Sequence, residues 1–140
     1  MTRLTRRYRF SASHRLHTAS LTEEGNRELY GKCNYPYGHG HNYELEVSVR
    51  GNVDPSSGML VRVEDLDKLV AGRVIRDMDH RDLNGDVVEF ARLVPTTENL
   101  AEVVRSRLKA AWAGTFGASG VELDGIRIRE TGKNIVELRS

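Results

Sequence analysis

Residues 41–50, HNYELEVSVR, alternate in character along their whole length. Tyr43, Leu45, Val47 and Val49 fall to one side, and Glu44, Glu46, Ser48 and Arg50 to the other. Only an extended chain sends successive side chains to opposite faces, so the stretch reads as a β-strand with one buried and one wet side. Working outward, RYRFSASH (7–14) has the same rhythm, with Tyr8, Phe10, Ala12 and His14 opposed to Arg7, Arg9, Ser11 and Ser13. Near the C-terminus, VELDGIRIRET (121–131) and NIVEL (134–138) flank a Gly-Lys-Asn turn and read as a closing hairpin.

Between these strands, NVDPSSG (52–58) is a turn, and MLVRV (59–63) is expected to start a return strand. Leu66, Leu69, Val70, Val74 and Met78 then recur at helical spacing, with Glu64 and Asp65 near the start, where the helix dipole favours acids. Gly72 costs that helix ~1 kcal/mol relative to Ala, so a packing reason for it is expected. A second helix follows PTTEN (95–99), with Thr96 as N-cap, Glu98 in the first turn, and Leu100, Val103, Val104, Leu108 and Trp112 as its buried stripe. Residues 15–40 are polar and turn-rich, and read as one long loop of the kind that carries function. The expectation is a single α+β domain over residues 1–140: a four-stranded antiparallel sheet with two helices on one face.

Composition excludes several classes of function. The 140 residues carry 21 Lys+Arg against 20 Asp+Glu, a net charge of +1, which does not suit a protein built to coat nucleic acid. Arg7, Arg9, Arg127 and Arg129 also lie on the strand face opposite Tyr8 and Phe10, which spoils a base-stacking platform. No apolar run approaches the ~20 residues needed to span a bilayer. The opening MTRLTRRYRF has no apolar stretch behind its basic residues, and one cysteine cannot form an internal disulfide. A soluble cytoplasmic protein is expected, without membrane or nucleic-acid partners.

GKCNYPYGHGHNY (31–43) carries the chemistry. In an extended chain His39 and His41 project together, in phase with Tyr43 and Leu45, and His14 ends the buried face of the first strand. If the two strands pair, three imidazoles converge, a ligand set that suits Zn2+ with one position left open. His17 is out of phase and reads as a surface residue. Cys33 has two readings, a fourth ligand that closes the site or a free thiol that acts as base or nucleophile, and spacing does not choose between them. Asp79-His80 puts a carboxylate beside an imidazole, read on its own as a solvated turn. Glu130 continues the face of Ile126 and Ile128, and a buried acid needs a partner, such as a ligand with paired N–H donors.

FSASHRL (10–16), GKCNYPYGHGHNY, GML (58–60), DHRDLN (79–84), PTTENLA (95–101) and RETGKNIVE (129–137), in this order, resemble the 6-pyruvoyl-tetrahydropterin synthase family from about Arg9 to Glu137. The resemblance implies that His14, His39 and His41 are zinc ligands, that Cys33 is the catalytic thiol, and that Asp79 and His80 activate it. It implies that Glu130 anchors a pterin ring and that Thr97 and Glu98 lie near the pterin pocket. The implied fold is the tunnelling fold, in which trimers close an antiparallel barrel and two trimers stack into a homohexamer, with Asp79 and His80 on a neighbouring chain. The implied activity is a carbon–oxygen lyase reaction, the zinc-dependent conversion of 7,8-dihydroneopterin triphosphate to 6-pyruvoyl-tetrahydropterin with elimination of triphosphate, as in tetrahydrobiopterin biosynthesis. The related 6-carboxy-5,6,7,8-tetrahydropterin synthase of queuosine biosynthesis shares zinc, thiol and anchor. The five residues between Cys33 and His39 resemble the pyruvoyl branch, since the carboxy branch typically has a shorter gap. A remoter alternative is a non-catalytic zinc-stabilised binding module closed by Cys33. Two departures from the family are Arg62, where relatives tend to carry a small polar or acidic residue, and a longer AGTFGASG (113–120).

Overall fold

The computed structural model describes residues 1–139. Strands β1 (Thr2–His14) and β2 (His39–Gly51) pair antiparallel from Thr2 opposite Gly51 to His14 opposite His39. β2 also pairs antiparallel with β4 (Glu122–Glu130), with a register shift between Ser48 and Val49, and β4 pairs with β5 (Asn134–Arg139). The expected alternation holds in each of these ladders. The sheet nevertheless has five strands rather than four, and it is mixed rather than purely antiparallel. The extra strand, β3 (Arg81–Asp82), runs parallel to β1 along its outer edge, Ala12 opposite Arg81 and Ser13 opposite Asp82. Its two residues are exposed and carry no periodic pattern, so nothing in the sequence marks them.

One face of the sheet is dry. Tyr43, Leu45, Val47, Val49, Ile126 and Ile128 pack there with Leu66, Val70, Val74, Leu100, Val104 and Leu108 from the helices. Each such side chain contributes roughly 1.5–3 kcal/mol by leaving water. The helices are α2 (Val63–Val70), which continues through a π-helical turn over Ala71–Ile75 into α3 (Arg76–Met78), and α5 (Thr97–Phe116), which follows the short α4 (Leu83–Asp86). Thr96 caps α5, its side chain accepting from the Asn99 N–H at 3.2 Å. Arg107 of α5 grips both Glu89 oxygens, at 2.6 and 2.7 Å, and Asp77 at 2.8 Å, tying α5 to the helix end that precedes Asp79. Hydrogen bonding from this guanidinium holds the Glu89 carboxyl below its usual range.

Three local expectations are corrected. MLVRV forms no strand: residues 59–61 leave a turn closed by Gly58 N–H to Asp54 O at 2.7 Å, Arg62 is the N-cap of α2, and Val63 is already helical. Val61 is buried, so its apolar pattern is real but makes no ladder. Gly72 has no packing reason, because a Cβ built there meets nothing within 4 Å; it lies in the π-helical turn. Residues 15–40 are not all loop, since they contain α1 (Glu23–Tyr30), capped by Thr22, and a 3-10 turn over Gly31–Asn34. The only buried residue of α1 is Asn26, so no apolar stripe announces the helix. Asn26 fixes it by donating its side-chain amide to Thr18 O, Leu21 O and Thr22 O and accepting from Thr18 N–H.

The opposite face of the sheet is charged, and its charges pair across strands. Arg7 meets Glu44 at 3.2 Å and Glu46 at 3.3 Å, and Arg127 meets Glu46 at 3.2 Å. Among the described residues, no helix is long and apolar enough to cross a membrane.

Candidate metal and pterin site

At the end of the sheet where β1 stops and β2 begins, the register puts His14 opposite His39 and Ala12 opposite His41. All three imidazoles therefore share the dry face. Their ring centroids are 4.4 Å apart for His39 and His41, 4.7 Å for His14 and His41, and 5.4 Å for His14 and His39. Cys33 joins them from the 3-10 turn, its Sγ 3.6 Å from His39 Nε2. That turn is pinned to the end of β1 by Leu16 N–H donating to Cys33 O at 2.7 Å and by the Asn34 side-chain amide donating to Leu16 O at 2.7 Å. One ligand atom from each of His14, Cys33, His39 and His41 lies within 4.8 Å of every other.

Two of these nitrogens are orphans. His14 is fully buried, and its Nδ1 donates to Pro95 O at 2.9 Å, so Nε2 carries the lone pair. Nε2 of His14 and Nε2 of His41 are buried with no hydrogen-bond partner. Buried polar atoms left without partners are rare in folded proteins, and unpartnered imidazole nitrogens beside other donor atoms suit a cation. Burial pushes both imidazoles below their ordinary pKa, which keeps them neutral and able to ligate. The donor set of imidazoles plus a thiol suits a borderline-soft divalent metal.

Glu130 ends β4 opposite Tyr43, 9% exposed. Its Oε2 accepts a short hydrogen bond from Thr97 Oγ1, and its Oε1 lies 3.7 Å from His41 Nε2. The buried acid and Thr97 are thus neighbours of the imidazole cluster. Glu98, next to Thr97 in the first turn of α5, is exposed, and its carboxylate makes no hydrogen bond or ion pair among the described residues. Asp79 and His80 lie at the outer edge of β1. Asp79 Oδ1 accepts from Ser11 N–H at 3.0 Å, and His80 N–H donates to Ser11 O at 2.6 Å. The His80 side chain is 83% exposed, 3.7 Å from Asp79, and borders a cleft of about 580 Å³ with Arg9, Asn42 and Arg129 on the charged face. Within one chain, no described contact joins it to Cys33.

Residues 3–140 match the family described as 6-pyruvoyl tetrahydropterin synthase. The chain belongs to this family. It is 46% identical over 136 residues to the 6-pyruvoyl tetrahydrobiopterin synthase of Poecilia reticulata, covering 97% of this chain and 88% of that one. It is 31% identical over 128 residues to a probable 6-carboxy-5,6,7,8-tetrahydropterin synthase of Halobacterium salinarum, covering 81% of this chain and 73% of that one. Among solved structures, it matches the 6-pyruvoyl tetrahydropterin synthase of Caenorhabditis elegans at a TM-score of 0.89 and 39% identity, over 99% of this chain and 95% of that chain.

This 6-pyruvoyl tetrahydropterin synthase family member has features that its sequence alone did not reveal. Burial, and then the Glu130 carboxylate, push the Cys33 thiol above its usual pKa, so the single chain does not itself make it a thiolate at neutral pH. The Pro95 carbonyl that orients His14 is a backbone group and leaves no sequence signal. His17, expected at the surface, is partly buried beside Asn34, with 3.1 Å between Nδ1 and the side-chain amide.

Proposed function

We propose that this chain, a single domain over residues 1–140, is a zinc-dependent lyase. It would convert 7,8-dihydroneopterin triphosphate to 6-pyruvoyl-tetrahydropterin and triphosphate, for tetrahydrobiopterin-type biosynthesis in the cytoplasm. The observation that carries this is the pair of orphaned nitrogens, His14 Nε2 and His41 Nε2, converging beside a free thiol and a buried carboxylate. His14, His39 and His41 would hold the metal. Bound zinc would supply Lewis acidity toward the two hydroxyls of the substrate side chain, making the adjacent C–H protons more acidic.

The chain's own groups do the rest. Glu130, held by the Thr97 hydroxyl, accepts the parallel N–H donors on the amide-and-amine edge of the pterin. Cys33, beside His39, takes a proton from the substrate side chain and returns one, so that oxidation moves from side chain to ring without a nicotinamide. Burial raises the pKa of the thiol within one chain, and a base beside it would draw its proton. His80, oriented by Asp79, fills that role from a neighbouring chain.

Replacing Glu130 with Gln removes the charge and one acceptor, a loss on the order of 1.5–3 kcal/mol of pterin affinity, with metal content unchanged. Titration with a dihydropterin checks this, and an unchanged dissociation constant would remove Glu130 as anchor.

The exposed His80, the part of β1 before Ser11 that β3 leaves uncovered, and the terminal strand β5 support a homohexamer in which subunit sheets close a barrel around the charged face. Light scattering is expected to give about six times the 15.8 kDa chain mass. Mixing inactive Cys33→Ala and His80→Ala proteins is expected to restore part of the activity once subunits exchange. Failure despite demonstrated exchange would place both residues in one chain's site.

The 6-carboxy product is the second reading, favoured by the 31%-identical relative of that name. Product mass separates the two.

A further inference from the structure

Thr131 follows β4 directly, and its φ is 42°, in the left-handed region. A β-branched residue is among the poorest choices there, because its Cβ substituents crowd the backbone, and turns that need this conformation ordinarily use Gly or Asn. The next residue, Gly132, has a φ of 89° and supplies that freedom without strain. Turn chemistry therefore explains Gly132 and does not explain a threonine at 131.

Two contacts do. Thr131 N–H donates to Asn42 O at 3.0 Å, and Thr131 Oγ1 lies 2.9 Å from His41 Nδ1. The unusual backbone conformation lets one residue hold β2 through its main chain while its hydroxyl meets the adjacent imidazole. Nε2 of His41, like that of His14, is buried without a partner. His14 has the corresponding support from a backbone carbonyl, Pro95 O, which no side-chain change can remove. His14 Nδ1 also lies 3.4 Å from the Tyr43 hydroxyl, whereas among the described residues the Thr131 hydroxyl is the partner of His41 Nδ1.

We propose that Thr131 is a positioning residue of the metal centre. Its hydroxyl oxygen accepts the His41 Nδ1–H, which fixes the tautomer with its lone pair on Nε2 and fixes the direction in which that lone pair points. This rests on the metal-centre reading above. A merely structural threonine would stabilise the turn, and its loss would lower metal binding only as far as it lowered stability.

The full-length protein and its Thr131→Val, Thr131→Ser and Thr131→Gly variants separate these roles. Each is stripped of metal, and its zinc affinity is read by competition with a chromophoric chelator. The visible spectrum of the Co2+ form reports ligand geometry, and the melting temperature of the metal-free form reports stability. Thr131→Val and Thr131→Gly are expected to bind zinc about 10–100-fold more weakly and to alter the Co2+ bands. Thr131→Ser keeps the hydroxyl and is expected to bind close to wild type. In Thr131→Gly, relief of the backbone and greater freedom of the unfolded chain oppose each other, so its metal-free melting temperature is expected to stay near wild type. Wild-type affinity in both Val and Gly variants would overturn the proposal, as would loss in Ser equal to that in Val, or losses that track melting temperature. If the wild-type chain binds neither ion, the metal centre itself falls, and Thr131's role with it.

Discussion

Replacing Cys33 with alanine is expected to lower kcat by about 10²–10⁴-fold while leaving close to one zinc per chain. The thiol lies 3.6 Å from His39 Nε2 and is the only proton-moving sulfur in the chain. Its removal leaves all three imidazoles and both supporting carbonyl and hydroxyl contacts in place. The backbone bond from Leu16 N–H to Cys33 O and the Asn34 amide bond to Leu16 O also survive, so the 3-10 turn should keep its place. Alanine, which cannot ligate, makes the result decisive against a non-catalytic zinc-stabilised module. In such a module Cys33 would be the fourth ligand, and its loss would release metal and lower the melting temperature. Metal content after dialysis and steady-state turnover, measured on the same sample, distinguish the two.

Replacing His39 with alanine is expected to remove most of the metal. Apparent zinc binding of 10–16 kcal/mol in four-ligand sites amounts to ~3 kcal/mol per ligand, more than a hundredfold in affinity. His39 begins β2 opposite His14 and is partly exposed, so the substitution leaves the packed interior beneath it, Tyr43 and Leu45, undisturbed. The metal-free protein should therefore retain its fold, and activity should fall with metal content. Stoichiometric zinc in this variant would remove His39 from the ligand set.

The strands were legible because period-two alternation is a local signal, and Tyr43, Leu45, Val47 and Val49 carry it without interruption to the dry face. The same period put His39 and His41 in phase and made His14 their natural partner across the ladder. What escaped had no pattern to read. β3 is two exposed residues whose partner, the edge of β1, is distant in sequence. α1 is held by one buried asparagine rather than by an apolar stripe. MLVRV misled because Val61 is buried from an irregular segment, and burial alone does not make a ladder. Thr131 escaped for another reason: its place depends on a positive φ and on a contact with a residue 90 positions away. Glu130 was legible as a buried acid in need of a partner, but Thr97 as its hydrogen-bond donor emerged only when α5 was packed against β4.

The most direct test of the central claim is to incubate the zinc-loaded protein with 7,8-dihydroneopterin triphosphate and identify the products by mass spectrometry under anaerobic conditions. The cluster of His14, His39, His41 and Cys33 beside Glu130 suits either branch, and the similarity to 6-pyruvoyl tetrahydrobiopterin synthases makes 6-pyruvoyl-tetrahydropterin and free triphosphate the expected products. A 6-carboxy pterin with acetaldehyde, or unchanged substrate in the presence of stoichiometric zinc, would contradict it.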